Sequence, residues 1–369
     1  MAEPGSSRRE RKGDAARLLL AAARERFAVA ATDLLLPDQA RLTEWQRLTA
    51  AGLLSRLVRS IEDDLRVRLA VRFQGHDALH AALSSAHVPI ALPILDRAQV
   101  LRDADLTTIL VRRVEEHRFW KVRAGQPAAA EAREEYLFEL VRDADDTVAA
   151  EAMELVIARS RRFDRFQEPT MGRVELPAEL QHKLVWIVAA ALRQYIVQQH
   201  QVGAVDGPVE EAAEAIIASY DEGATLEALA MRLARRLLRD GRLDGAALAR
   251  IIGDGVLPFF IAGLAALCGL DQAATWEVLS DPRGRGPGLL LRAAGVGRDG
   301  AAAILLALNS RGALFSGAEG EVAATQLELY DTVDEASAQE VLRLWQAHPA
   351  YRASVARIST RVRSTAAAA

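Results

Sequence analysis

Two histidines four residues apart, in His76-Asp77-Ala78-Leu79-His80, form the arrangement closest to a catalytic metal site. On a helix such a pair faces one way, and the zinc-protease pattern places a glutamate after the first histidine as general base. Here that place holds Asp77, one methylene shorter, which would pull the carboxylate back from a metal-bound water. His87 is the next candidate ligand, but its spacing misses the longer metalloprotease arrangement. His76-Asp77 also matches the doublet of HD-type phosphohydrolases, which need an upstream histidine, and His76 is the first in the chain. A solvent-facing helix is the better reading, and no metal is expected.

Asp281-Pro282-Arg283-Gly284-Arg285-Gly286-Pro287-Gly288 could cradle an anion on free backbone N–H groups and the forks of Arg283 and Arg285. It carries no Gly-Lys-Ser/Thr and follows no strand, so it is not a P-loop, and a tight turn is the plainer account. Two basic-aromatic stretches, His117 to Arg123 and Arg159 to Phe166, combine arginine with aromatic rings as interface anchors do. Arg118, Trp120, Arg161, Arg162 and Arg165 are the partner-binding candidates. The competing reading turns Phe and Trp inward and binds the arginines to acidic turns such as Asp143–Asp146. No Gly-x-Ser-x-Gly is present, and Cys268 has no histidine within sixty residues in sequence. No glycine-rich dinucleotide fingerprint follows a strand. No catalytic residue and no cofactor are therefore assigned, and the chain is read as non-enzymatic.

The composition agrees with that reading. Of 369 residues half are hydrophobic, 26% are charged and only 5% are aromatic. Cores must be filled by Leu, Ala, Ile and Val, which suits helix-on-helix packing. The net charge of −4 supplies no field for nucleic acid, and no nucleic-acid partner is expected. Lys12, Lys121 and Lys183 are the only lysines among 46 basic residues, a bias that suits a GC-rich genome. Cys268 is the single cysteine, which implies a reducing compartment and an inert, buried thiol. Charges interrupt the apolar N-terminal stretch, and the longest uncharged apolar run, Leu184–Leu192, is too short to span a bilayer. A cytoplasmic location without a transmembrane segment is expected.

Residues 1–13 read as a disordered tail. Leu19, Ala23, Phe27, Ala30 and Leu34 then mark one stripe of a helix that Pro37 ends. Thr43 with Gln46 opens a second long helix to about Arg72, with Leu54, Leu57, Val58, Ile61, Leu65 and Leu69 on its apolar side. On the other side Glu62 faces Arg66 and Asp64 faces Arg68. Short elements follow to Phe166, and Glu168–Leu176 is a linker. Pro177 starts the next helix, and a second loop spans Val202–Pro208. The remainder reads as short helices at 209–220, 225–239, 245–252, 257–267, 273–279, 289–294, 301–308 and 336–347. Asp240-Gly241, Asp254-Gly255, Gly269 and Gly312 are their stops. No strand is predicted.

Asp145 through Leu155 resembles the second helix of a HEAT-type repeat, an acidic turn followed by Val148, Ala152 and Leu155. The runs Leu42-Thr43-Glu44-Trp45-Gln46-Arg47, Ser160 to Phe166, Glu175 to His182 and Trp276 to Gly284 resemble an alphaproteobacterial family of helical-repeat character, classed as a domain of unknown function. That resemblance spans about 14–356. It implies an all-α fold and a bacterial setting but no activity.

The expected architecture is an all-α, HEAT-like α-solenoid of stacked short helices with a long N-terminal helical hairpin. Its expected divisions are a tail (1–13), a hairpin with HEAT-like helices (14–167) and a C-terminal helical-repeat domain (168–369). The expected function is a scaffold or adaptor that binds protein partners and is compatible with homo-oligomers. The alternative is a ligand-responsive helical regulator with its ligand near Glu168–Glu175, and behind it a metal-dependent hydrolase.

Overall fold

The computed structural model describes residues 42–85, 88–124, 135–281, 284–309, 319–348, 351–352 and 358. The readings for residues 1–41, for His87, for Arg283 and for Gly312 lie outside them. Apart from turns and loops, the described residues form helices. The sixteen helices are α1 Glu44–Arg72, α2 Asp77–Ser84, α3 Ala91–Ala98, α4 Ala104–Ala124, α5 Tyr136–Val141, α6 Asp146–Ser160, α7 Ala178–His200 and α8 Asp206–Ala218, then α9 Leu226–Arg239, α10 Gly245–Gly253, α11 Leu257–Cys268, α12 Gln272–Leu279, α13 Gly286–Ala293, α14 Arg298–Asn309, α15 Glu319–Thr332 and α16 Glu335–Gln346. Among the described residues extended pairing is limited to one isolated bridge, Phe163 with Pro169. The described residues from Trp45 onward form one compact unit.

Two apolar cores lie inside it, and each is assembled from separated stretches of sequence. Residues of α1–α3 and of α4 as far as Val114 share one core with α7 and α8. Phe119, at the far end of α4, shares the other with α5, α6 and all of α9–α16. At the centre of the second core, every residue from Leu257 to Ala265 except Pro258 is buried, because α11 is packed by α9, α10, α12, α13 and α4. No single described helix is long and apolar enough to cross a membrane. The α11–α12 pair meets that test by length and composition only, and it is bent by 103° at its break.

Local chemistry explains the boundaries. Asp145, Asp244 and Asp271 cap α6, α10 and α12 with carboxylate oxygens on early backbone N–H groups, and Thr225 caps α9 with its hydroxyl. Gly241, Gly255 and Gly269 stop three helices at φ of 67°, 78° and 64°, where a Cβ is strained. The loop expected at 202–208 is shorter, since α8 begins at Asp206 and holds Pro208 in its first turn, where no N–H is missed. Two helices depart from the expectation more strongly. α4 runs unbroken for 21 residues where short elements were expected, because its buried face carries Arg113, Glu116 and His117 in place of apolar residues. α15 was not expected; its inward positions are Ala323, Gln326, Leu327 and Tyr330, a helical stripe built from small and polar residues.

The Glu62–Arg66 pair, expected on the solvent side of α1, is buried. Glu62 accepts hydrogen bonds from Ile90 N (2.8 Å) and Ala91 N (2.9 Å), capping the start of α3. Arg66 donates to Ala82 O (2.7 Å), Leu83 O (2.9 Å), Val88 O (3.0 Å) and Ser85 O, capping the end of α2. One ion pair (3.1 Å) thus supplies the groups two helix ends lack. Asp64 likewise pairs with Arg173 (2.6 Å) rather than with Arg68.

At the start of α13 the chain tolerates glycine alone. A Cβ on Gly286 would lie 1.6 Å from Val278 O, and one on Gly288 2.5 Å from Gln326 O. The glycines of the candidate anion loop therefore serve close packing of α13 on α12 and α15. Gly286→Ala should separate α13 from α12 and lower stability by several kcal/mol, in the range of severe core disruptions. Urea denaturation checks this, with Gly203→Ala, in open space, as the tolerated control.

Candidate functional site

Between Arg161 and Thr170 the chain folds into a small knot. Thr170 N donates to Arg162 O (2.9 Å), Asp164 N donates to Glu168 O (2.9 Å), and the Asp164 carboxylate accepts from Phe166 N (2.8 Å) and Glu168 N (3.0 Å). The knot points Arg162 inward, where it is 3% exposed. Its guanidinium meets Glu116 of α4 at 2.7 Å, Glu175 at 2.9 Å and Glu227 of α9 at 2.6 Å. Arg113 lies beside it, donating to Arg162 O (2.6 Å) and pairing with Glu116 (3.5 Å). Arg112 pairs with the other oxygen of Glu116 (3.0 Å), and its guanidinium carbon lies 5.7 Å from the Trp276 ring centre. Three arginines and three glutamates thus form a neutral cluster around a cavity of about 140 Å³.

The electrostatics follow from that packing. Burial disfavours the Arg162 charge, yet Glu227, Glu116 and Glu175 hold its pKa above the ordinary arginine value. Burial, then the charge of Arg162, brings Arg113 down to about 10. Burial alone would raise Glu227, but Arg162 and Arg112 hold it below the usual carboxylate range. For Glu175 burial prevails over the two arginines and raises the pKa. Next to the cluster, His117 is 0% exposed, with both ring nitrogens buried and without a hydrogen-bond partner among the described residues. It stacks on Trp120 (5.9 Å), which meets Phe163 at 4.5 Å. Burial, then Arg113, pushes the His117 pKa down to about 4 from 6.5.

The candidates from sequence fall into different places. Arg162 is enclosed, and the acids that hold it are Glu116, Glu175 and Glu227. Asp143 of the acidic turn instead takes Arg242, and Asp145 caps α6. Arg118 pairs with Glu115 (2.7 Å), and Trp120 is half-buried in the aromatic cluster. Arg161 and Arg165 are exposed, with Arg165 over the exposed Phe166 ring (4.6 Å). Arg285 pairs with Asp281 (3.0 Å). His76 is exposed at the start of α2, and His80 is half-buried. Among the described residues no group of three His, Cys, Asp or Glu side chains is placed to hold a metal ion. Burial pushes the Cys268 thiol up to about 12, leaving little nucleophilic thiolate at neutral pH. Arg112, Arg113, Glu116 and Glu227 were not singled out from sequence, and Glu175 was named for a site only as one end of the stretch given to the ligand of the alternative reading. Their one signal is the Arg112-Arg113 and Glu115-Glu116 doublets, spaced for ion pairs along α4.

Residues 125–343 match the model of the family described as an uncharacterised protein conserved in bacteria, DUF2336. No curated protein and no solved structure matches the chain. The match covers more than half the sequence, and the chain belongs to that family.

Arg162→Met should strand three acids in a buried site and lower stability by about 3–5 kcal/mol, the usual cost of removing one buried partner. Arg162→Lys should restore little, since one ammonium cannot reach three carboxylates; urea denaturation measures both. His117 gives a separate signature. Its folded pKa lies below its unfolded value, so the unfolded chain binds the extra proton. Stability is unaffected above pH 6.5 and falls between pH 6.5 and about 4, by up to about 1.4 kcal/mol per pH unit. Arg113 and Lys121 oppose its charge, and Glu168 and Asp164 favour it. His117→Phe should flatten the wild-type loss in that window, read as the difference between the two melting-temperature profiles.

Proposed function

We propose that the chain is a non-catalytic scaffold or adaptor that binds a helical segment of a protein partner along the outer face of α6. The observation that carries this is a stripe of Ala150, Met153, Ile157 and Arg161. These residues follow one another by three, four and four positions, and all are exposed. Met153 and Ile157 are 44% and 47% exposed, and Phe138, on the α5 that packs against α6, is 43% exposed. Apolar anchors at this spacing with an arginine at one end suit an amphipathic helix. The inner side of α6 is locked by Val148, Ala152 and Leu155, so the stripe is presented on a rigid support.

The HEAT-like, α-solenoid part of the reading draws support from sequence neighbours packing on one another through α11–α15. With α11 enclosed, we read the binding surface as the outside of the unit rather than one open concave face. The setting we assign is the cytoplasm, in keeping with a lone cysteine and no paired thiols. A second reading, a ligand-responsive helical regulator, is favoured by the cavity beside Glu175.

Replacing Met153 and Ile157 together by glutamate should leave the melting temperature within about 2 °C, as expected for surface changes. It should abolish capture of the proteins retained by the wild-type chain. Capture that survives both charges would overturn the assignment of this face.

A further inference from the structure

The cavity in the charge cluster is unlike a sealed structural ion pair. Its wall holds three apolar residues, Ile109, Met171 and Pro177, beside the partly or fully exposed charges of Arg112, Glu222 and Glu227. Arg113 and Arg162 are consumed by internal partners. Arg112 is not: its Nε meets Glu116, while its buried Nη2 has no hydrogen-bond partner among the described residues. Apart from that Nε contact the Arg112 guanidinium makes no hydrogen bond among the described residues, and its charge lines the cavity where an oxygen ligand can meet it. Glu227 uses Oε1 for Arg162 and keeps its side chain partly exposed. Glu222 caps α7 through Ala178 N (3.3 Å) and stays exposed.

These charges restrict the ligand. A simple anion that reaches Arg112 meets Glu222 and Glu227. A simple cation drawn to the two acids meets Arg112. A molecule carrying both signs satisfies both sides. At about 140 Å³ the space lies below the roughly 300 Å³ at which pockets for drug-sized molecules begin. We infer that this cavity binds a small zwitterion of the α-amino acid class with an apolar side chain. Its carboxylate would sit on Arg112, its ammonium on Glu227 and Glu222, and its side chain against Ile109, Met171 and Pro177. This rests on the ligand-responsive reading and names the ligand class.

The experiment is isothermal titration of the full chain with leucine, valine and methionine. Two half-molecules of leucine serve as controls, 4-methylpentanoic acid without the amine and 3-methylbutylamine without the carboxylate. At least one amino acid should bind tenfold or more tightly than either half-molecule. Arg112→Gln should bring leucine down to the affinity of 3-methylbutylamine. If Arg112→Gln does not fold, the comparison of half-molecules on the wild-type chain still decides. Amino acids binding no more tightly than their half-molecules would overturn the zwitterion assignment, as would a folded Arg112→Gln chain that binds leucine unchanged. Binding by the half-molecules without a gain for amino acids would leave the ligand-responsive reading standing. Binding by none of the three classes would remove both.

Discussion

Arg162 is a cation with almost no water around it, and three glutamates from three separate parts of the chain keep it charged. Glu116 comes from the middle of α4, Glu175 from the turn before α7, and Glu227 from the first turn of α9. Removing these charges from water costs several kcal/mol per ion, and only a nearly complete set of partners offsets it. The cluster is therefore weak evidence for net stability but strong evidence for one arrangement. Any register of α4, the 161–170 knot or α9 other than the native one leaves a charge buried alone. The cluster also stands where the two apolar cores meet along α4: Val114 belongs to one core and Phe119 to the other, and Glu116 lies between them. The specificity of that junction resides in charge, while the cores on either side are ordinary aliphatic packing.

The same logic recurs in the first core. Glu62 and Arg66 occupy inward positions of α1 that a purely apolar helix would fill with Leu or Ile. Between them they satisfy backbone groups at the end of α2 and the start of α3. Short helices leave a larger share of their backbone groups without partners than long ones do. α2 and α3 are eight residues each, and α1, at 29 residues, is a long rigid rod that can carry the compensating charges. The bias toward arginine becomes functional here, since a planar fork can address several carbonyls or carboxylates at once where lysine offers a single point charge.

How far the sequence discloses this architecture depends on what fills each inward face. α1, α7 and α9 bury aliphatic residues at helical spacing, α11 is apolar almost throughout, and their extents agree with the sequence reading to within a few positions. Thr225, which caps α9, stands at the start expected for that helix, because side-chain capping is a local event. α4 and α15 were obscured because Arg113, Glu116, His117 and Gln326 stand where apolar residues signal burial. Whether a charged residue faces inward depends on partners far away in sequence: Glu227 is 65 residues from Arg162, and Arg66 reaches carbonyls up to 22 residues on. A helical wheel contains no information about such partners. Of the site, the basic-aromatic stretch was legible as a feature, but not which of its arginines turned inward.

That division falls between two consecutive residues. α6 keeps helical backbone geometry into Arg161, whose φ is −71° and ψ −13°. The outward stripe of Met153 and Ile157 therefore extends to Arg161. At the next residue the chain leaves the helix, Thr170 N takes the Arg162 carbonyl, and the side chain drops into the cage of glutamates. The exposed face of α6 and the buried cluster are thus held by one peptide unit, and the knot that closes on Asp164 fixes its orientation. An isolated helix would let its last turn fray. Here the final turn cannot fray without withdrawing Arg162 from three carboxylates, so the outer stripe stays ordered to its end because of a charge on the opposite side.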